Sequence, residues 1–179
     1  IEMLHQKLFF KDLLDHSNSK SNISENLDVK LMPRLSEIIE NDKGSNISIG
    51  AKLQLNDQLN PSISGEINAN LSLICQRCLG SLNWNETILV SIDFMKEAQN
   101  KAVQSNVDCI SINDEGIVLL DLLEGEVLSS IPMSIMHKNI ELCENIDKLG
   151  MFLGSSDEEK AKTNKPFSDL SEIMGKEDN

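Results

Sequence analysis

Two long alternating runs, joined by a short turn that carries two cysteines, constrain this chain more than any other feature of its sequence. On the way into the turn, Ile63, Gly65, Ile67, Ala69, Leu71 and Leu73 take every second position, with Ser62, Ser64, Glu66, Asn68, Asn70 and Ser72 between them. A period of two turns one set toward a core and the other toward water, the signature of a half-buried strand. On the way out, Leu82, Trp84, Ile88, Val90, Ile92 and Phe94 alternate with Asn83, Asn85, Thr87, Ser91 and Asp93, and only Glu86 and Leu89 break the pattern. The two runs predict a long hairpin with Cys75-Gln76-Arg77-Cys78 at its tip.

Two residues between cysteines let the chain curl both sulfurs to one side, where they can share a metal ion or close a small disulfide. The pair alone leaves three readings open: cysteines that merely pack, half of a zinc site, or thiol redox chemistry. Redox fits least well, because the thioredoxin type of motif opens a helix after a strand, and here a second strand follows. Raised on such a hairpin, the thiols and Arg77 are expected at an exposed apex, with Arg77 either a contact for one phosphate or carboxylate or a plain solvated arginine.

The flanking chain extends the sheet. Ile47, Ile49, Ala51, Leu53 and Leu55 alternate with polar residues, so strands at about 47–55, 62–75 and 81–94 predict an antiparallel meander. A shorter strand is expected at 109–112, after a polar linker at 96–107, with Cys109 a buried small hydrophobe. Residues 1–15 suit either a short helix or a strand leading into a bend, and the Ser/Asn-rich 16–27 predict a loop. Pro33 opens a helical turn with Leu35, Ile38 and Ile39 on one face.

After the turn 113–116 the period changes to four: Leu119, Leu123, Val127 and Ile131 predict a helix over about 118–131, stopped by Pro132, with its apolar stripe on the open face of the sheet. Gly125 weakens that helix. Glu124 and Glu126 ride on it, as an acidic contact surface or as a solvated face. Beyond it, His137 and Cys143 are spaced so that they can complete a Cys75, Cys78, His137, Cys143 set, a structural zinc site that would pin the segment after the helix to the hairpin tip. Four protein ligands leave no open coordination position, so a catalytic metal is the weaker version.

The predicted fold class is α+β: an antiparallel meander of three to five strands with a helix on one face and a flexible acidic C-terminal tail. Its parts are residues 1–45 as a helix and loop segment packing on the sheet, 46–149 as the core, and 150–179 as a mobile tail in which Phe167 and Leu170 form a short docking motif. The 179 residues carry a formal net charge of −13. Residues 1–95 hold 8 basic and 12 acidic side chains and residues 96–179 hold 8 and 17, so the halves carry −4 and −9. Without a basic run, broad phosphate binding is excluded, and any RNA contact must be local or pass through a protein. Aromatic residues at 3% are too few for a base-stacking platform. Phosphate-loop, nucleophile-elbow and HExxH motifs are absent. No apolar run is long enough to span a membrane, the first residues lack a signal-peptide core, and four cysteines fit a reducing, cytoplasmic setting.

Cys75-Gln76-Arg77-Cys78-Leu79 at a hairpin tip, Glu124-Gly125-Glu126 in a helix closing at Ile131-Pro132-Met133, His137, Cys143 and a terminal Pro166-Phe167 with Leu170 together resemble the YceD family, the large ribosomal RNA subunit accumulation proteins. The resemblance runs from about residue 46 to the end. It implies a bacterial, cytoplasmic, non-enzymatic factor needed for the synthesis, processing or stability of 23S ribosomal RNA, with a large-subunit ribosomal protein or a pre-ribosomal particle as its partner. An acidic second half suits such a basic partner, since opposite potentials speed encounter. Two other functions are compatible with the residues: a metal-dependent RNA hydrolase using Glu124 or Glu126, and a thiol redox protein using Cys75 and Cys78.

Overall fold

Three consecutive strands carry the molecule, as their alternation requires. The computed structural model describes residues 2–41, 44–96 and 108–143. In it β3 (Asn46–Leu55), β4 (Pro61–Ile74) and β5 (Ser81–Lys96) form an antiparallel meander. The register pairs Ile49 with Ile67, Leu53 with Ile63 and Leu71 with Trp84, so the apolar set of each strand falls on the same face. Ile47, Leu53, Ile63, Ile67, Leu71, Ile92 and Phe94 are almost wholly buried there. Each such side chain contributes about 1.5–3 kcal/mol of hydrophobic stabilisation. The two residues that broke the alternation, Glu86 and Leu89, are both exposed, so β5 carries its irregularity on a stretch that the core does not cover.

Gly65 sits where no side chain fits. A Cβ there would lie 2.2 Å from the carbonyl oxygen of Gly50 and 2.5 Å from the Cα of Ala51, and the neighbouring strand backbone cannot move aside as a flexible side chain could. The turn from β3 to β4 is organised by Asn56, whose Oδ1 accepts from the backbone N–H groups of Gln58 and Asn60.

The edges differ from expectation in two ways. Residues 16–27 are not a loop: α2 (Phe10–Asn18) runs into them, and β2 (Asn22–Leu27) pairs antiparallel with β3. An edge strand needs few apolar positions, and here only Ile23 and Leu27 are buried, which is why the segment looks polar in sequence. At the other edge β6 (Asp108–Ile112) pairs with β5 in the parallel sense, so the five-stranded sheet, in order β2-β3-β4-β5-β6, is mixed and not a pure meander. Cys109 is exposed on this edge strand, contrary to the buried position expected for it.

One face of the sheet is covered from both ends of the described chain. α2 packs on β3, β4 and β5 through Leu13, and its first turn is closed by Asp12, whose Oδ2 accepts the backbone N–H of Phe9 at 2.9 Å. α4 (Leu119–Ser130) lies against β5 and buries Leu119, Leu120, Leu123 and Val127. It also contacts α1 (Glu2–His5) and α3 (Pro33–Ser36), the latter a single turn that buries Leu35 and leaves Ile38, beyond its end, exposed. Strand β1 (Lys7–Leu8) pairs with β7 (Ile117–Val118) just before α4. The turn into β7 needs a glycine: Gly116 has φ +73°, and a Cβ on it would lie 2.8 Å from the carbonyl oxygen of Leu8.

Glu124 is not part of an acidic surface. It is 2% exposed, its Oε2 accepts from Arg34 Nε at 2.9 Å, and its Oε1 accepts from the backbone N–H of Leu35 at 2.9 Å. Arg34 Nη2 also donates to the carbonyl of Asp121 at 2.8 Å. The carboxylate therefore fastens α3 to α4. The described residues of 1–45 join this arrangement, since β2 is a strand of the main sheet. The tail at 150–179, with Phe167 and Leu170, lies outside the described residues, as does 97–107 of the expected linker.

Candidate metal centre

The hairpin tip folds tightly because the chain must reverse in six residues. Cys75 N–H donates to the carbonyl of Gly80 at 2.9 Å, and Leu79 N–H donates back to the carbonyl of Cys75 at 2.8 Å. Leu79 takes the left-handed conformation at φ 58°, unusual for a branched apolar residue and tolerated here in a turn held from both sides. This reversal brings the sulfurs of Cys75 and Cys78 to one side.

The segment after α4 lies along the tip. Ile131 ends the helix in an extended conformation ahead of Pro132, and the chain then runs back so that Gln76 N–H donates to the carbonyl of Ile135 at 2.9 Å and Gln76 Nε2 to the carbonyl of Met133 at 3.0 Å. His137 follows at once. A turn of 3₁₀ helix at Ile140–Leu142 then delivers Cys143, whose N–H donates to the carbonyl of Ile140 at 3.0 Å.

The result is a cluster of three thiols and one imidazole. One ligand atom from each of Cys75, Cys78, His137 and Cys143 lies within 4.8 Å of the others, close enough to hold a metal ion. His137 Nδ1 is 3.5 Å from the sulfur of Cys78 and 3.5 Å from that of Cys143. A tetrahedral ion bound at ordinary zinc distances spaces its ligand atoms by about 3.5–3.8 Å, so the imidazole nitrogen already stands at that separation from two of the sulfurs. The far nitrogen of His137 is fixed by a partner that can only accept: Nε2 lies 3.1 Å from the carbonyl of Ser81, which places the proton on Nε2 and points the Nδ1 lone pair at the thiols.

The thiols are not exposed at an apex. Cys75, Cys78 and Cys143 are 0%, 3% and 6% exposed, because the 133–143 segment covers the tip. Burial raises the Cys75 thiol, but backbone N–H groups of Cys78, His137 and Arg77 aimed at its sulfur outweigh that, and its pKa falls from 9.0 to about 6. Burial, with the neighbouring Cys75 and Cys143, pushes the Cys78 thiol up. One thiol is thus disposed to ionise ahead of its neighbour, and a bound cation would replace the remaining protons.

Arg77 also departs from expectation. It is half-buried and folded over the cluster: its Nε donates to Cys143 Sγ at 3.2 Å and its Nη2 to the carbonyl of His137 at 3.0 Å. Arg77, with the Ser81 carbonyl, belongs to the site in a way the sequence did not suggest, since neither contact has a local pattern. Glu126 is half-buried on α4, and burial together with Asp108 raises its carboxyl above the usual value. Glu124 and Glu126 join no metal-binding group of His, Cys, Asp and Glu among the described residues.

Fold and site together define a mixed α+β domain closed by a Cys₃His cluster. No family model matches the chain, and neither a curated protein nor a solved structure does. No helix among the described residues is long and apolar enough to cross a membrane.

Proposed function

We propose that this chain is a non-catalytic binding protein with a structural zinc, acting in the accumulation of the large ribosomal subunit as its resemblance to the YceD family implies. Zinc is the metal of choice for three thiolates and an imidazole in a closed tetrahedral set, because soft sulfur donors favour it and the d¹⁰ ion accepts that geometry without penalty. Cys75, Cys78, Cys143 and Nδ1 of His137 would hold the ion, which would supply cross-linking between the hairpin tip and the segment after α4.

One observation carries the reading. The segment that the cluster holds down is apolar yet exposed: Met133, Met136, Ile140 and Leu142, with Ile74 and Leu79 of the tip, supply six of the eleven large hydrophobic side chains exposed among the described residues. A concentration of this kind favours a protein-binding surface. A closed four-ligand set, in turn, favours a scaffold over a reaction centre. The partner proposed is a large-subunit ribosomal protein or a pre-ribosomal particle in the cytoplasm.

The hydrolase reading gains nothing from the carboxylates, since Glu124 is consumed by Arg34 and Leu35. The redox reading has to account for a third thiol and an imidazole beside the pair. Deleting the gene should lower the ratio of 23S to 16S ribosomal RNA, with restoration by the wild-type gene and not by a Cys75→Ser, Cys78→Ser double variant. An unchanged ratio in the deletion strain defeats the ribosomal assignment. Absence of zinc from protein purified under reducing conditions defeats the structural-metal assignment.

A further inference from the structure

A Cys₃His set around a divalent cation carries three thiolate charges against two, and so has a net charge of −1 in a buried place. Such a charge is costly unless something compensates it nearby. The residue placed to do so is Arg77, and its contacts are unusually well distributed. Its Nε–H donates to the Cys143 sulfur at 3.2 Å, and its Nη2–H donates to the backbone carbonyl of His137 at 3.0 Å. One residue on the tip therefore reaches both ligands contributed by the segment after α4.

The four ligands are not equally supported. Cys75 is fixed within the turn, its N–H donating to the carbonyl of Gly80 and its carbonyl accepting from the N–H of Leu79. His137 is oriented by the carbonyl of Ser81. Cys143 arrives last, from the far side of a single 3₁₀ turn, and the Arg77 guanidinium is a charged donor to its sulfur. A charge-assisted hydrogen bond stabilises the thiolate over the thiol and withdraws electron density from it. Arginine suits the task better than lysine, because one rigid fork can address a sulfur and a carbonyl at the same time.

We infer that Arg77 is a positioning residue of the metal centre, neutralising its surplus charge and holding Cys143 in the ligand set, and not a contact for an external anion. This rests on the metal reading above. The test uses the full chain loaded with cobalt(II) as a spectroscopic substitute and with zinc, comparing wild type with Arg77→Gln and Arg77→Lys. Chelator competition should show zinc bound about 10–100-fold more weakly in Arg77→Gln, the range typical when a partner of a metal ligand is removed, with Arg77→Lys between the two.

The sulfur-to-cobalt charge-transfer band should weaken toward that of a two-thiolate site in Arg77→Gln. Site-resolved alkylation of the zinc form should accelerate at Cys143 by about tenfold or more, while Cys75 stays protected. A merely structural arginine would loosen the tip and expose Cys75 and Cys78 alike, and that pattern overturns the inference, as does zinc affinity within about twofold of wild type. If wild type itself binds neither zinc nor cobalt, the metal reading fails and this inference goes with it. If wild type binds and Arg77→Gln binds equally, only the role of Arg77 falls.

Discussion

Arg34 and Glu124 share a lopsided ion pair: the arginine side chain is 57% exposed and the carboxylate only 3%, although their atoms are 2.9 Å apart. Removing either partner therefore has different consequences. Arg34→Met strands a buried carboxylate, which typically costs about 3–5 kcal/mol. Glu124→Gln leaves its arginine free to turn to water and weakens chiefly the bond to the Leu35 N–H, at about 1–3 kcal/mol. Urea unfolding of both variants should rank Arg34→Met as the more destabilised, and the reverse order would refute the asymmetry.

Removing the proposed metal should release the 133–143 segment before it disturbs the sheet. The sheet has its own core in Ile47, Leu53, Ile63, Ile67, Leu71 and Phe94, whereas the segment rests on Gln76, on Arg77, on the Ser81 carbonyl and on the Cys/His cluster. After chelation, amide exchange should speed up at Gln76 and Cys143 and stay slow through the paired centres of β3 and β4. Uniform loss of protection would mean that the cluster supports the whole fold.

Gly125 is a glycine that its helix does not need. A Cβ there would meet only Arg34 Nη2 at 3.9 Å, an ordinary contact, and no positive φ is involved. Gly125→Ala should raise stability by about 0.4–1 kcal/mol, through helix propensity and a less disordered unfolded chain. A thermal midpoint lower than wild type would show that the glycine serves a purpose beyond the packing described.

Glu126 should make stability depend on pH. Burial first, and then Asp108, raise its carboxyl above 4.5. The folded state thus holds its proton more tightly than the unfolded chain, so stability from this group is present below the ordinary carboxylate pKa and is lost as pH rises through the folded value. Glu126→Gln should be more stable than wild type at pH 7, with the difference fading below about pH 4. Thermal melts across that range check the sign, and an advantage that grows toward acid would reverse it.

Much of this architecture is legible in the sequence, and the exceptions have physical causes. β3, β4 and β5 declare themselves because one face of each is sealed by a core and the other is wet. β2 stays hidden because an edge strand with two buried residues hardly differs from a polar loop. The parallel sense of β6 depends on the path of the chain before it, which no periodicity records. Glu124 looks like a surface acid because its partner lies 90 residues away in sequence. The grouping of Cys75, Cys78, His137 and Cys143 is legible in residue type and order, yet its burial is not, since the covering segment has no pattern of its own. Arg77 hides for the same reason: a side chain between two cysteines at a tip looks solvated until the tip acquires a lid.

The pairing of Lys7 with Val118 and of Leu8 with Ile117 has a consequence for how a cell makes this protein. A nascent chain emits Leu4 and Leu8 long before their partners in β7 and α4 exist, and these side chains, buried at the end, must wait until more than a hundred further residues have been translated. The meander can zip as it emerges, one strand after another. Closure comes only when α4 leaves the exit tunnel, so a synthesis halted short of that helix yields a sheet whose oily side has no cover from the α4 side.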